Sequence, residues 1–144
     1  QAAGGKGLGV TIDIGHSTYS LKVKLVQIMQ VVAADLPFYV HTNDNNGKLD
    51  WDLISGACNV WEFAEFLFYL KELNYDGWIT ADVAPFRQDA QEIFALNVRF
   101  TEQVWKWLDE IDCDVVRDHL HRHDFLSIRK MMEPYIFPLI HNSK

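Results

Sequence analysis

Cysteine is scarce: Cys58 and Cys113 are the only two thiols in 144 residues, and they lie far apart, outside any Cys-x-x-Cys spacing. That excludes a disulfide framework and fits a reducing, cytoplasmic compartment. Positive charge is also short, with 13 Lys and Arg against 20 Asp and Glu and a net charge of −7. Phosphate binding depends on clustered Lys and Arg, so no nucleic-acid partner is expected; acidic clusters suit cations better. No apolar stretch is long enough to span a bilayer, so no membrane partner is expected either. Residues 1–9 have neither the basic start nor the long apolar core of a signal peptide. Gln1 in place of Met reads as a cut through a longer chain, with Gly4-Gly5-Lys6-Gly7 as the C-terminal stop of a helix lying upstream. Those glycines lack the P-loop pattern and precede a strand, so they are not a phosphate cradle.

What is present is an ordinary α/β composition, 49% apolar, for which one domain is the natural count. Val10 to Ile14 is a short β-branched run that suits a strand covered on both faces. Leu21 to Ala34 follows at helical spacing, with Leu21, Leu25, Ile28, Met29 and Val32 apolar, closed by Asp35 and Pro37. A second strand is expected at Phe38 to Thr42. The stretch from Asn43 to Asn59 is rich in turn formers and too long for an idle connection. Val60 to Leu73 reads as a helix, Trp78 to Asp82 as a third strand and Asp89 to Ile111 as a long amphipathic helix. Short helices at Asp114 to His123 and Phe125 to Glu133 end at Pro134 and Pro138.

Chemistry concentrates where the apolar runs end. Asp13 and His16 close the first, His41 the second and Asp82 the third. Strands that alternate with helices are expected to run parallel, and parallel strands share one carboxyl-end face, so these side chains are predicted to converge on one metal or substrate. Three strands leave two unpaired edges and an uncovered face, while a (β/α)8 barrel takes roughly 250 residues. The expected fold is therefore the C-terminal portion of a TIM barrel, about three β/α units with parallel strands, followed by C-terminal helices. Its apolar inner face, including Val10, Ile12, Tyr39 and Ile79, is expected to be covered by another chain or by swapped helices.

The motifs Gly9-Val-Thr-Ile-Asp-Ile-Gly-His16, His41-Thr-Asn-Asp-Asn-Asn-Gly47, Asp50-Trp-Asp-Leu53 and Gly77-Trp-Ile-Thr-Ala-Asp-Val-Ala-Pro85 resemble, in order and spacing, the C-terminal half of the xylose-isomerase-like TIM barrels. That superfamily holds sugar isomerases, sugar and sugar-phosphate epimerases and the endonuclease IV enzymes. The resemblance covers most of residues 8 to 110. It implies barrel units in residues 1–112 and a helical extension in 113–144. It also implies Asp13, His41 and Asp82 as metal ligands and Asp50 and Asp52 as the pair for a second, more mobile metal. Asp13, His16 and Asp82 would be catalytic, with His16 also facing substrate. The family's glutamate from an earlier strand would lie upstream of Gln1, so the missing half of the barrel, or a homo-oligomer, would have to complete the site.

The implied cofactor is a divalent metal: carboxylates suit Mg or Mn, and imidazole adds affinity for Mn, Co or Zn. Such an ion chelates the oxygens of an open-chain sugar and stabilises charge as hydrogen moves between neighbouring carbons. Family members that epimerise generally place Glu where Asp82 stands, so the resemblance implies isomerisation over epimerisation. Trp51 is a candidate to line the sugar pocket, and Arg87 a candidate to grip a phosphate or carboxylate; core packing is the better reading for Trp61 and Trp78.

Plainer readings stand beside these. Asp13 and Asp82 could cap the following helix or turn, His41 could be a core histidine, and Asp44, Asp50 and Asp52 could be structural loop residues. A solvated helix face suits His119, His121 and His123 better than a metal site. Three functions are carried forward: a metal-dependent sugar isomerase or epimerase, a non-catalytic half-barrel module that oligomerises, and an endonuclease-IV-like metallohydrolase. The last is disfavoured because that family has His where Asp52 stands and needs a basic surface.

Overall fold

The computed structural model describes residues 8–86 and 88–136. Its elements in chain order are β1 (Val10–Asp13), α1 (Ile14–Tyr19), α2 (Lys24–Ala33), β2 (Phe38–Thr42), α3 (Val60–Glu72), β3 (Ile79–Ala81), α4 (Ala90–Glu110), α5 (Cys113–His121) and α6 (Phe125–Ile136). The three strands form one parallel sheet in the order β1-β2-β3. Two compact units are present, Gln1–Val98 and Arg99–Lys144, and α4 contributes to both.

The expected C-terminal portion of a (β/α)8 barrel is not what forms. The chain is an α/β fold with a small three-stranded parallel sheet and six helices among the described residues. A barrel wall closes only when tilt and stagger are matched around a ring of eight strands, and three are too few. Alternation of β and α segments is shared by open and closed sheets, so the pattern could not distinguish them.

Register sorts the side chains. Ile12 pairs with Val40 and Val40 with Ile79, while Thr11 pairs with Tyr39, Asp13 with His41 and His41 with Thr80. Because side chains alternate along a strand, Val10, Ile12, Phe38, Val40 and Ile79 share one face, and Thr11, Asp13, Tyr39, His41 and Thr80 share the other. The first is the core face, with Ile12 and Val40 buried. The second is open, with Thr11, Tyr39 and Thr80 exposed. Tyr39 therefore does not belong with Val10, Ile12 and Ile79 on one inner face: an odd offset from Val40 turns it to the opposite side.

Helices supply the rest of the first unit's core. α2 buries Ile28 and Val31 and packs on both β1 and α3, whose Phe63, Phe66, Leu67 and Leu70 are fully buried as their spacing predicts. α2 begins three residues later than expected, since Leu21 takes a left-handed conformation (φ 54°) and is exposed. Met29 and Val32 face outward, since the buried side of α2 is the one that carries Lys24, Ile28 and Val31. Trp78, expected in the core, is 82% exposed because it precedes the edge strand β3.

The second unit is helical. Val104, Trp107, Leu108, Val116 and Met132 are buried in it, and Trp107 Nε1 donates to the Met131 carbonyl at 3.2 Å. α5 is capped by Asp112, whose carboxylate accepts from the N–H groups of Asp114 and Val115. His119 Nδ1 lies 3.2 Å from Asp124 Oδ2 and Arg122 pairs with Asp118 at 2.6 Å, so His119 and Arg122 each have a local acidic partner.

Candidate functional site

The open face of the sheet carries the candidate site at its carboxyl end. Asp13 and His41 are direct cross-strand partners, and the Asp82 N–H continues the ladder past β3 by donating to the Thr42 carbonyl at 3.0 Å. This register brings three side chains together. His41 Nδ1 stands 2.9 Å from Asp82 Oδ2 and 3.4 Å from Asp13 Oδ2. One potential ligand atom from each of Asp13, His41 and Asp82 lies within 4.8 Å of the others. Asp13 is buried, His41 half-buried and Asp82 exposed, so the group opens to solvent on the β3 side.

Asp13 serves two purposes at once. Its Oδ1 accepts from the His16 N–H at 2.9 Å and so caps α1, a short helix that hydrophobic spacing did not announce. Its Oδ2 faces His41. The capping role and the cluster role, alternatives in the sequence, coexist because a carboxylate has two oxygens.

The loop after β2 delivers the remaining candidates. His16 Nε2 lies 2.6 Å from Asp50 Oδ2 and His16 Nδ1 lies 3.6 Å from Asp13 Oδ2, so the imidazole spans the two carboxylates. Asp52 is anchored by its carbonyl, which accepts from the Ala84 N–H at 2.9 Å. Burial pushes the Asp52 carboxyl above its ordinary value, and the charges of Asp50, Asp82 and Asp13 add to the effect. Trp51 is exposed and lines, with Asp52, Pro85 and Phe86, a cleft of about 580 Å3 with mostly apolar walls. Arg87 lies outside the described residues.

One residue of this loop was missed, and a second, Asp44, takes the structural role open to it in the sequence. Asn43 is buried, and its Nδ2 lies 3.4 Å from Asp13 Oδ2 and 3.5 Å from Asp52 Oδ1. The period-two alternation that aims His41 at the open face also aims Asn43 there, and that signal could have found it. Asp44 is also buried, unlike the solvated loop residue it resembles in the sequence; Asn45, Cys58 and Asn59 all donate to it. Buried carboxylates persist where N–H groups replace water, and here the loop closes back on itself to supply them.

Two carboxylates and one imidazole form a mixed oxygen and nitrogen donor set of a kind that suits Mn, Co or Zn. The charge supports this: the four carboxylates of Asp13, Asp82, Asp50 and Asp52 outnumber the two imidazoles of His16 and His41, and a divalent cation would relieve the repulsion that adds to burial at Asp52.

Among the described residues no helix is long and apolar enough to cross a membrane. No family model matches the chain. Over 78 residues it is 40% identical to the uncharacterized protein MJ1311 of Methanocaldococcus jannaschii, a stretch covering 54% of this chain and 26% of that protein. The chain thus corresponds to about a quarter of that relative's length.

Proposed function

We propose that this chain carries the divalent-cation centre of a sugar or sugar-phosphate isomerase or epimerase, related to the xylose-isomerase-like enzymes its motifs resemble. The observation that carries the reading is the convergence of Asp13, His41 and Asp82, with ligand atoms within 4.8 Å, on the open face of the sheet. These three residues would hold the cation, and a bound cation supplies electrophilic stabilisation of oxygens on adjacent sugar carbons. The chain's own residues supply orientation and proton handling. His16, itself 61% exposed and lying between Asp13 and Asp50, would hold or move a proton at a substrate hydroxyl. Trp51 offers an aromatic face at the rim of the neighbouring cleft. A small sugar as substrate, without nucleic acid, and a cytoplasmic setting complete the reading; the acidic balance and the two free thiols support them.

The test is titration with manganese followed by electron paramagnetic resonance, together with isomerase and epimerase assays on a panel of aldoses with and without chelator. Stoichiometric binding, weakened at least tenfold by His41→Ala or Asp82→Ala, is expected. A chain that leaves manganese free in solution overturns the reading.

A second reading, a non-catalytic module that self-associates, is favoured by one observation. Val26, Met29 and Val32 recur every three residues along α2, and all three are exposed, as is Val23 just before the helix. Light scattering that shows a monomer at high concentration removes it.

A further inference from the structure

The amide of Asn43 stands between the two acidic parts of the site. Its orientation follows from chemistry: carboxylate oxygens only accept, so the Nδ2 edge faces Asp13 Oδ2 and Asp52 Oδ1, at 3.4 and 3.5 Å. Oδ1 is thereby turned away and, although buried, has no hydrogen-bond partner among the described residues. It rests instead against Gly15, where an added Cβ would stand 1.9 Å from Asn43 Oδ1 and 2.8 Å from Asn43 Cγ. Gly15 is also held from its other side, since its carbonyl accepts from Asn45 Nδ2 at 2.7 Å. Only a residue without a side chain leaves room for this amide.

An orphaned buried acceptor is retained where the opposite edge of the group does something that water or an apolar side chain would not. Here the opposite edge puts a neutral donor between two carboxylates that share a small volume, on the side of Asp13 that does not cap α1. We infer that Asn43 is a positioning residue of the cation centre: its amide fixes the Asp13 carboxylate toward His41 and couples it to Asp52, and Gly15 is the cavity that admits the amide. The inference rests on the functional reading above and adds to it the residue pair that sets the geometry of the ligands.

A double-mutant cycle on the full 144-residue chain, read as manganese affinity, tests it. Asn43→Ala removes the donor, and Gly15→Ala displaces it without deleting any carboxylate. Each is expected to weaken binding about tenfold or more, as loss of a group that orients a metal ligand does. The double variant is expected to be no weaker than Asn43→Ala, because Gly15 acts only through the amide. Thermal midpoints in chelator provide the second readout. If Asn43 and Gly15 serve loop packing alone, the midpoints fall while manganese affinity stays within about twofold of the parent chain; that result, or fully additive losses, overturns the inference. A parent chain that binds no manganese overturns the functional reading and this inference together, whereas binding by the parent with unchanged variants overturns the inference alone.

Discussion

Asp44 and Asn59 are tied together by two hydrogen bonds across the loop that follows β2: the Asn59 N–H donates to Asp44 Oδ2 at 2.8 Å, and Asn59 Nδ2 donates to Asp44 Oδ1 at 2.6 Å. The Cys58 and Asn45 N–H groups complete the shell, and the backbones of Asp44 and Leu53 exchange two hydrogen bonds of 2.8 Å. A long loop is thereby held rigid enough to present Asp50, Trp51 and Asp52. Asp44→Ala strands several donors in a buried place and is expected to cost at least about 3 kcal/mol. Urea denaturation should show a lower midpoint with an unchanged slope.

Lys24 and Glu62 form a 2.5 Å ion pair in which the lysine is buried and the glutamate exposed. Removing the acid alone leaves a buried ammonium, so Glu62→Ala is expected to destabilise the chain by about 1 to 2 kcal/mol. The double change Lys24→Met with Glu62→Leu removes both charges and should recover most of the loss in the same denaturation experiment.

Asp52 sets a pH dependence. Its folded-state carboxyl is raised, chiefly by burial, so the folded chain takes up this proton before the unfolded chain does. Stability from this group is therefore lowest above the folded-state value and rises as pH falls toward the ordinary carboxylate value. Asp52→Asn removes the repulsion, and thermal melts without cation should show it stabilising at neutral pH, with the gain shrinking on acidification.

Trp107 is buried and hydrogen-bonded to the Met131 carbonyl at 3.2 Å. Trp107→Ala is expected to cost about 3 to 5 kcal/mol, and Trp107→Phe, which keeps most of the volume but loses the donor, about 1 to 2 kcal/mol. Circular dichroism melts of the two variants, compared with the parent, check the order.

The gathering of Asp13, His41 and Asp82 was legible because strands joined by helices run parallel, and residues at their ends must then meet along one edge. Less legible was everything set by local polar chemistry. Asp13 starts α1 with a single oxygen, an event with no hydrophobic period to reveal it. Asp44 reads as a loop residue because burial of a carboxylate depends on N–H groups 14 and 15 positions away. Met29 and Val32 are exposed because the buried side of α2 runs along Lys24, Ile28 and Val31, and hydrophobic spacing does not select a lysine for a buried face. The barrel expectation failed for a different reason: periodicity describes one strand at a time and does not count how many share a sheet.

Being central, β2 has a kinetic consequence. Its two neighbours touch it and not each other, and each pairing joins segments separated by intervening helical chain. Such non-local contacts form late during folding. His41, on that middle strand, meets Asp13 through one pairing and Asp82 through the other, so both must be complete before all three groups face one another. At the proposed cation centre, uptake of a paramagnetic ion during refolding would thus act as a clock, timing the last step of sheet assembly and not the collapse that precedes it.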